Sequence, residues 1–214
     1  MQLHLFGAAS PSGEALRLHA AQSLPDWQVQ VYSRRFDGAK RCDFSDPAGF
    51  LPAGVGIPAL WISLGPIWLL APFLEQLAQH HPERLQDFRG LIACSSSSAL
   101  TKRFAANNFD RALVARLISA EDQLLATCRR IDVPCRILRP SLIYGQVGPY
   151  GDRNLSRLLA LMRCLPLVAL PSDSGLRQPI HASQLAAVAL HLAQQMFGPG
   201  LYPALPERIA LGGD

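Results

Sequence analysis

The sequence is short of charge. Charged side chains make up 17% of its 214 residues, 20 basic against 16 acidic for a formal net charge of +4, and no run of five like charges occurs. That excludes an acidic or basic tail and leaves no concentrated electrostatic footprint, so no nucleic-acid partner is expected. Cysteines number five, Cys42, Cys94, Cys128, Cys135 and Cys164, an odd set without a C-x-x-C pair. Neither a disulfide framework nor a zinc knuckle is spelled out. No secretory leader is visible, because Leu3, Leu5 and Phe6 run at once into Gly7 and polar residues. Reduced thiols in a cytoplasmic protein are expected. His80 and His81 are adjacent and face different ways on a helix, while His4, His19 and His191 lack partners at ligand spacing, so no metal site is expected.

One stretch has no charge at all, from Pro47 to Leu74. "IPALWISLGPIWLLAPFLEQL" is apolar enough to raise a membrane span. Yet Pro58, Gly65, Pro66 and Pro72 cut it into pieces shorter than the roughly 18 residues a span needs. It reads as a buried strand, a turn and the start of a helix, with no membrane partner.

What is present is a compact composition: 49% hydrophobic, with a mean hydropathy of +0.14. The length suits one domain spanning 1–214, with 148–176 the only room for a small substrate-side insertion. Leu3 and Leu5 alternate before Gly7 as a first strand, and Glu14 to Leu24 has Leu16, Ala20 and Leu24 on one helical face. "WQVQVYS" alternates as a second strand, "KRCDF" gives a short third, and "ALWISL" and "GLIACS" are apolar on both faces, as central parallel strands are. Helices are expected over Ile67 to His80 and Asn107 to Arg130, the latter ending in two arginines that suit the helix dipole. "VPCRILRPSLIYG" supplies a sixth strand, and "LSRLLALMRCL" and "QLAAVALHLAQQM" two more helices. Strands alternating with helices predict an α/β fold: a doubly wound parallel sheet, Rossmann-like.

The turn after the first strand, "GAASPSG" from Gly7 to Gly13, has the outline of a nucleotide-binding turn with Ser10 at the middle glycine. A side chain there pushes the backbone away from a pyrophosphate, although the hydroxyls of Ser10 and Ser12 could donate to one. The second strand ends in Ser33, Arg34 and Arg35, where arginines suit the 2′-phosphate of NADP and a carboxylate would suit NAD. NADP is the expected cofactor and NAD the alternative.

The chain resembles the short-chain dehydrogenase/reductase superfamily, in its extended, NAD(P)-dependent epimerase/dehydratase branch. The resemblance rests on five stretches in order: "GAASPSG" for G-A-T-G-F-I-G, "CDFSD" for G-D-l-x-D, "LIACSSSSAL" for v-S-S-s-s-v-Y, "ILRPSLIYG" for l-R-p-x-x-v-Y-G, and "RQPIHASQLAAVAL" for r-x-x-i-H-v-x-D-l-a-x-a. It implies that Gly7, Ala9, Ser10, Pro11, Ser12 and Gly13 meet the pyrophosphate, Asp43 the adenine, and Leu64 and Gly65 the adenosine side. It likewise puts Ser95 and Ser96 beneath the nicotinamide, Pro140, Ser141 and Leu142 beside its ring, and Ser97 on the catalytic serine. His181 matches the last motif, with Gln184 in place of its aspartate.

The long helix departs from that pattern. Taking Glu121 as the glutamate that follows the family's Tyr-x-x-x-Lys, the lysine position holds Leu117 and the tyrosine position Leu113. The tyrosine is the acid or base and the lysine lowers its pKa; leucine does neither. Lys102 and Arg103 lie in the preceding loop, within reach of the lysine's place, while Arg116 points about 100° away from it; Tyr144, in the loop near the nicotinamide, is either a relocated acid/base or packs locally. The resemblance implies a small-molecule substrate such as a nucleotide sugar, a C-terminal substrate domain that is largely absent here, and a homodimer through the 107–130 helix. In that helix Leu113, Leu117, Leu124 and Leu125 serve either core or interface. Two functions stay open: hydride transfer with a degenerate site, and a non-catalytic cofactor-binding or scaffold protein.

Overall fold

The computed structural model describes residues 1–34, 39–102, 107–152, 155–164, 178–197 and 206–211. Eleven strands and six α-helices lie among them: β1 (Gln2–Phe6), α1 (Pro11–Ser23), β2 (Gln28–Ser33), β3 (Lys40–Arg41), β4 (Ala59–Ser63), α2 (Ile67–His80), β5 (Phe88–Cys94), α3 (Ser98–Thr101), α4 (Asn108–Arg130), β6 (Cys135–Pro140), β7 (Ile143–Tyr144), β8 (Gln146–Val147), β9 (Tyr150–Gly151), α5 (Leu155–Cys164), β10 (Ile180–His181), α6 (Ala182–Phe197) and β11 (Arg208–Leu211). Seven strands form one sheet in the order β11-β6-β5-β4-β1-β2-β3, every neighbouring pair parallel. This is the doubly wound Rossmann-like sheet that the alternation predicts. The short β7 and β10 pair parallel beside it, and β8 and β9 form an antiparallel hairpin.

Period-two alternation sorts the strand residues between two cores. Leu3 and Leu5 of β1, Leu60 and Ile62 of β4, Ile92 and Leu138 pack with α1 and α6 on one face. Phe6, Tyr32, Trp61, Leu91, Ala93 and Ile137 pack with α2 and α4 on the other. A sheet covered on both faces needs apolar residues at successive positions, which explains "ALWIS". The uncharged 47–74 stretch is thus a short 3-10 turn and loop leading into β4, the exit turn of β4 and the first half of α2. Among the described residues no helix is long and apolar enough to cross a membrane.

Two boundaries differ from the sequence reading. Helix α1 begins at Pro11, three residues before the expected Glu14, because Ser10 supplies the N-cap and proline fits the first helical position. Strand β11 was not expected; it pairs with β6 from Arg208 opposite Ile137 to Leu211 opposite Pro140. Four residues, three of them partly buried and Ala210 exposed, carry too little alternation to read as a strand, and long-range pairing decides them. Of the 148–176 segment, the structure describes the end of the β8–β9 hairpin and α5; 153–154 and 165–176 lie outside the described residues.

Candidate functional site

Strand β1 lies between β2 and β4, so the chain leaves it toward one side of the sheet and returns on the other. Such a switch point opens a crevice at the C-terminal ends of the strands. Gly7, the first residue past β1, has φ +84°, and a Cβ there would stand 2.9 Å from both Gly65 N and Leu64 C at the exit of β4. Gly13 is bounded by backbone as well: its Cβ would meet Ala8 Cα at 2.5 Å and Gly7 O at 2.6 Å. These two glycines are demanded by the approach of helix to strand and of turn to turn.

Ser10 is bound within the turn. Its Oγ accepts the Gly13 N–H at 3.1 Å and donates to the Gly7 carbonyl at 3.0 Å, while its own N–H reaches Ala8 O at 2.8 Å. The serine that looked like a lost glycine is the cap of α1.

Two cavities flank the turn. One, of about 340 Å³, is lined by Gly7, Tyr32, Ser33, Arg34, Asp43, Phe44, Gly65 and Leu69 among others. Phe44 leans against Gly65 and packs on Phe6 and Phe73, ring centroids 5.7 and 4.9 Å away, so its ring is fixed as a wall. Asp43 Oδ1 accepts from the N–H and hydroxyl of Ser45, at 2.9 and 2.7 Å. Those bonds, with Arg34 and Arg41 nearby, hold its carboxyl below the usual range and keep it ionised. The second cavity, of about 560 Å³, is lined by Ala9, Ser10, Pro11, Ser12, Leu64, Cys94, Ile143, Tyr150, Asp152 and Leu185, with Pro149 and Gly151. Burial pushes the Cys94 thiol up to about 12, so it is protonated at neutral pH. Asp152 caps α5 through Leu155 N at 2.7 Å and accepts from Gly145 N at 3.3 Å.

The far side of the crevice is a buried ionic network. Glu121 of α4 is fully buried and accepts from Ser95 Oγ at 2.5 Å, from Arg139 Nε at 3.0 and 3.1 Å, and from Arg208 Nε at 3.1 Å. One carboxylate thereby ties α4 to β5, β6 and β11. Leu117, one turn earlier, is 2% exposed and belongs to the α2–α4 core, with Leu113 packed against it. Leu124 and Leu125 are buried in the same core. Of the leucine stripe, Leu117, Leu124 and Leu125 are core and Leu113 is partly buried at its edge.

The expected site residues therefore divide. Gly7, Arg34, Asp43 and Gly65 meet in the smaller cavity; Ala9, Ser10, Pro11, Ser12 and Leu64 line the larger; Gly13 stands behind the turn. Leu64 faces the opposite side from the one expected. Neither cavity is lined by Ser95, Ser96, Ser97, Pro140, Ser141 or Leu142. Ser95 is held by Glu121, and Ser96 Oγ accepts from the Ser98 N–H at 3.2 Å. Ser97 N–H reaches Pro140 O at 2.9 Å as the chain enters α3, and Ser141 Oγ donates to Gln178 O. Arg35 and Arg103 lie outside the described residues.

Tyr144 makes an edge contact with His181, centroids 5.2 Å apart, and the phenol at the larger cavity is Tyr150. Sequence reasoning missed Phe44, Leu69, Cys94 and Tyr150. Phe44 was legible beside Asp43 in "CDF", but nothing local marks Tyr150, which the β8–β9 hairpin delivers. Among the described residues no three His, Cys, Asp or Glu side chains cluster as a metal site.

A nicotinamide dinucleotide is the group this fold implies; the smaller cavity offers apolar walls and the ionised Asp43 to one end of it, and the larger cavity is a roomier chamber at the ends of β4 and β5. No family model and no curated protein sequence matches the chain. Solved structures do. UDP-glucuronic acid 4-epimerase from Bacillus cereus in complex with NAD is 14% identical, with a TM-score of 0.71 over 100% of this chain and 78% of that one. UDP-glucose 4-epimerase from Thermus thermophilus in complex with NAD is 16% identical, with a TM-score of 0.65 over 99% and 78%. A yeast methylglyoxal/isovaleraldehyde reductase complexed with NADPH is 12% identical, with a TM-score of 0.66 over 99% and 78%. The chain has the fold shared by these epimerases and reductases, a Rossmann-like α/β fold.

Proposed function

We propose that this protein is a nicotinamide-dinucleotide-binding member of the epimerase/dehydratase family, that it takes NADP in preference to NAD, and that it lacks the usual acid/base pair. The observation that carries the reading is the pair of cavities meeting at the Gly7 turn, at the switch point of the sheet. Arg34 at the smaller cavity supports the preference for a ribose 2′-phosphate, and Asp43 supplies an ionised acceptor for an exocyclic amine. When bound, such a cofactor supplies hydride transfer at its nicotinamide ring; the substrate is then a hydroxyl- or carbonyl-bearing small molecule of the nucleotide-sugar kind.

The packing of Leu117 in the α2–α4 core, with Leu113 against it, favours a second reading, a cofactor-binding protein without turnover. Leucine neither moves a proton nor anchors a ribose. Tyr150, a phenol lining the larger cavity, supports residual chemistry.

Calorimetric titration with NADP+ and NAD+ at fixed salt tests both readings. The expected result is micromolar NADP+ binding that weakens about tenfold in Arg34→Ala, with NAD+ affinity unchanged. No heat with either cofactor ends the nucleotide reading. NADP+ binding, with no NADPH consumption across a panel of aldehydes, ketones and nucleotide sugars, selects the non-catalytic one.

A further inference from the structure

The first turn of α1 has few peptide donors left for an anion. Pro11 has no N–H, Gly13 N–H is held by Ser10 Oγ, and Ser10 N–H by Ala8 O, so of the first three residues of α1 only Ser12 keeps an N–H for an anion. A pyrophosphate at a helix N-terminus depends on unclaimed peptide donors. The Ser10 hydroxyl hydrogen is directed to Gly7 O and is equally engaged. The first turn also carries Glu14, which Arg17 grips at 2.7 and 3.0 Å and holds below the usual carboxyl range; its charge opposes an incoming phosphate.

The smaller cavity has the opposite character. Phe44 and Leu69 are apolar walls for a planar base, Arg34 is a cation for a phosphate monoester, and Asp43 has both Ser45 contacts on Oδ1, leaving Oδ2 for a ligand donor.

From this asymmetry we infer that Ser10 closes the turn to the pyrophosphate, and that the site grips a nucleotide by its adenosine phosphate end alone. The ligand class it recognises is an adenosine bisphosphate, whether free or as one end of a dinucleotide. The inference rests on the nucleotide reading above and adds where the affinity comes from.

Calorimetry on the full chain with adenosine 2′,5′-bisphosphate and with NADP+ decides it. The expected result is two dissociation constants within about threefold of each other. Ser10→Gly, which returns the Gly13 N–H to a ligand, then tightens NADP+ about tenfold and leaves the bisphosphate within about twofold. Glycine is itself an accepted N-cap, so the substitution keeps a residue type that helix starts tolerate. NADP+ binding at least tenfold tighter than the bisphosphate in the unmodified protein overturns the inference while sparing the nucleotide reading. Silence with both ligands overturns the two together. If Ser10→Gly fails to fold, the ratio in the unmodified protein still decides.

Discussion

The two halves of the sheet are built on different physics. Around β1, β2 and β4 the core is aromatic: Phe6, Tyr32, Phe50 and Trp61 touch ring to ring at 4.9 to 6.0 Å, and Tyr32 OH accepts the Ala53 N–H at 2.7 Å. Around β5, β6 and β11 a buried carboxylate and two arginines join the strands to α4. The aromatic half ends in a cavity whose Arg34 and Asp43 have no core to serve; the ionic half ends in serines held by the framework. The difference teaches which residues testify to a ligand. Gly7 and Gly13 are required by backbone contacts whether or not a nucleotide binds. Arg34 and Asp43 therefore carry more functional information than the glycine pattern does.

The comparison can be broken first on the ionic side. Rebuilding the family's lysine as Leu117→Lys places an ammonium among α2–α4 core residues. Burial lowers a lysine pKa by about 3–5 units in such sites, so a loss of about 5 kcal/mol is expected in urea unfolding, without gain of NADPH turnover. Turnover in a folded Leu113→Tyr/Leu117→Lys protein would show that the leucines merely fill a competent site. Next, Glu121→Ala leaves Arg139 and Arg208 facing a buried gap and should cost about 4 kcal/mol, read as a lower urea midpoint. A change under about 1 kcal/mol would mean that water replaces the carboxylate.

The aromatic half is sharpened by pH. His4 is 1% exposed, stacks on Trp61, and has its pKa lowered by burial from 6.5 to about 4. The unfolded chain then binds the extra proton between these values and the folded chain does not, so stability falls as pH drops from 6.5 toward 4. The contribution is about 3 kcal/mol, present in full above pH 6.5 and absent from a His4→Gln variant in paired denaturation series. Equal pH slopes for the two proteins would place the acid sensitivity elsewhere.

Much of the scaffold was legible locally, because periodicity is written into neighbouring residues. "LHL", "ALWIS" and "LIAC" announced strands apolar on both faces, and Ile67 to His80 was bounded as observed. The turn was legible in outline and misread in detail: "GAASPSG" shows a serine at the glycine position but not where its hydroxyl points. Tyr150 and Leu69 were silent, since they reach the crevice through a hairpin and a helix whose placement depends on distant packing.

By itself the sequence determined the alternation of strands and helices, the two-faced burial of the central strands, and the positions where backbone must approach backbone. These follow from local side-chain period and from the absence of a Cβ. Only the tertiary structure decided that β11 joins β6, that Leu117 is core, that Glu121 is shared by two arginines, and that Ser10 seals its own turn. Each of these depends on partners brought together by the fold: contacts distant in the chain, or the orientation of a hydroxyl set by the turn's geometry. Neither is encoded in the spacing of the residues that make them.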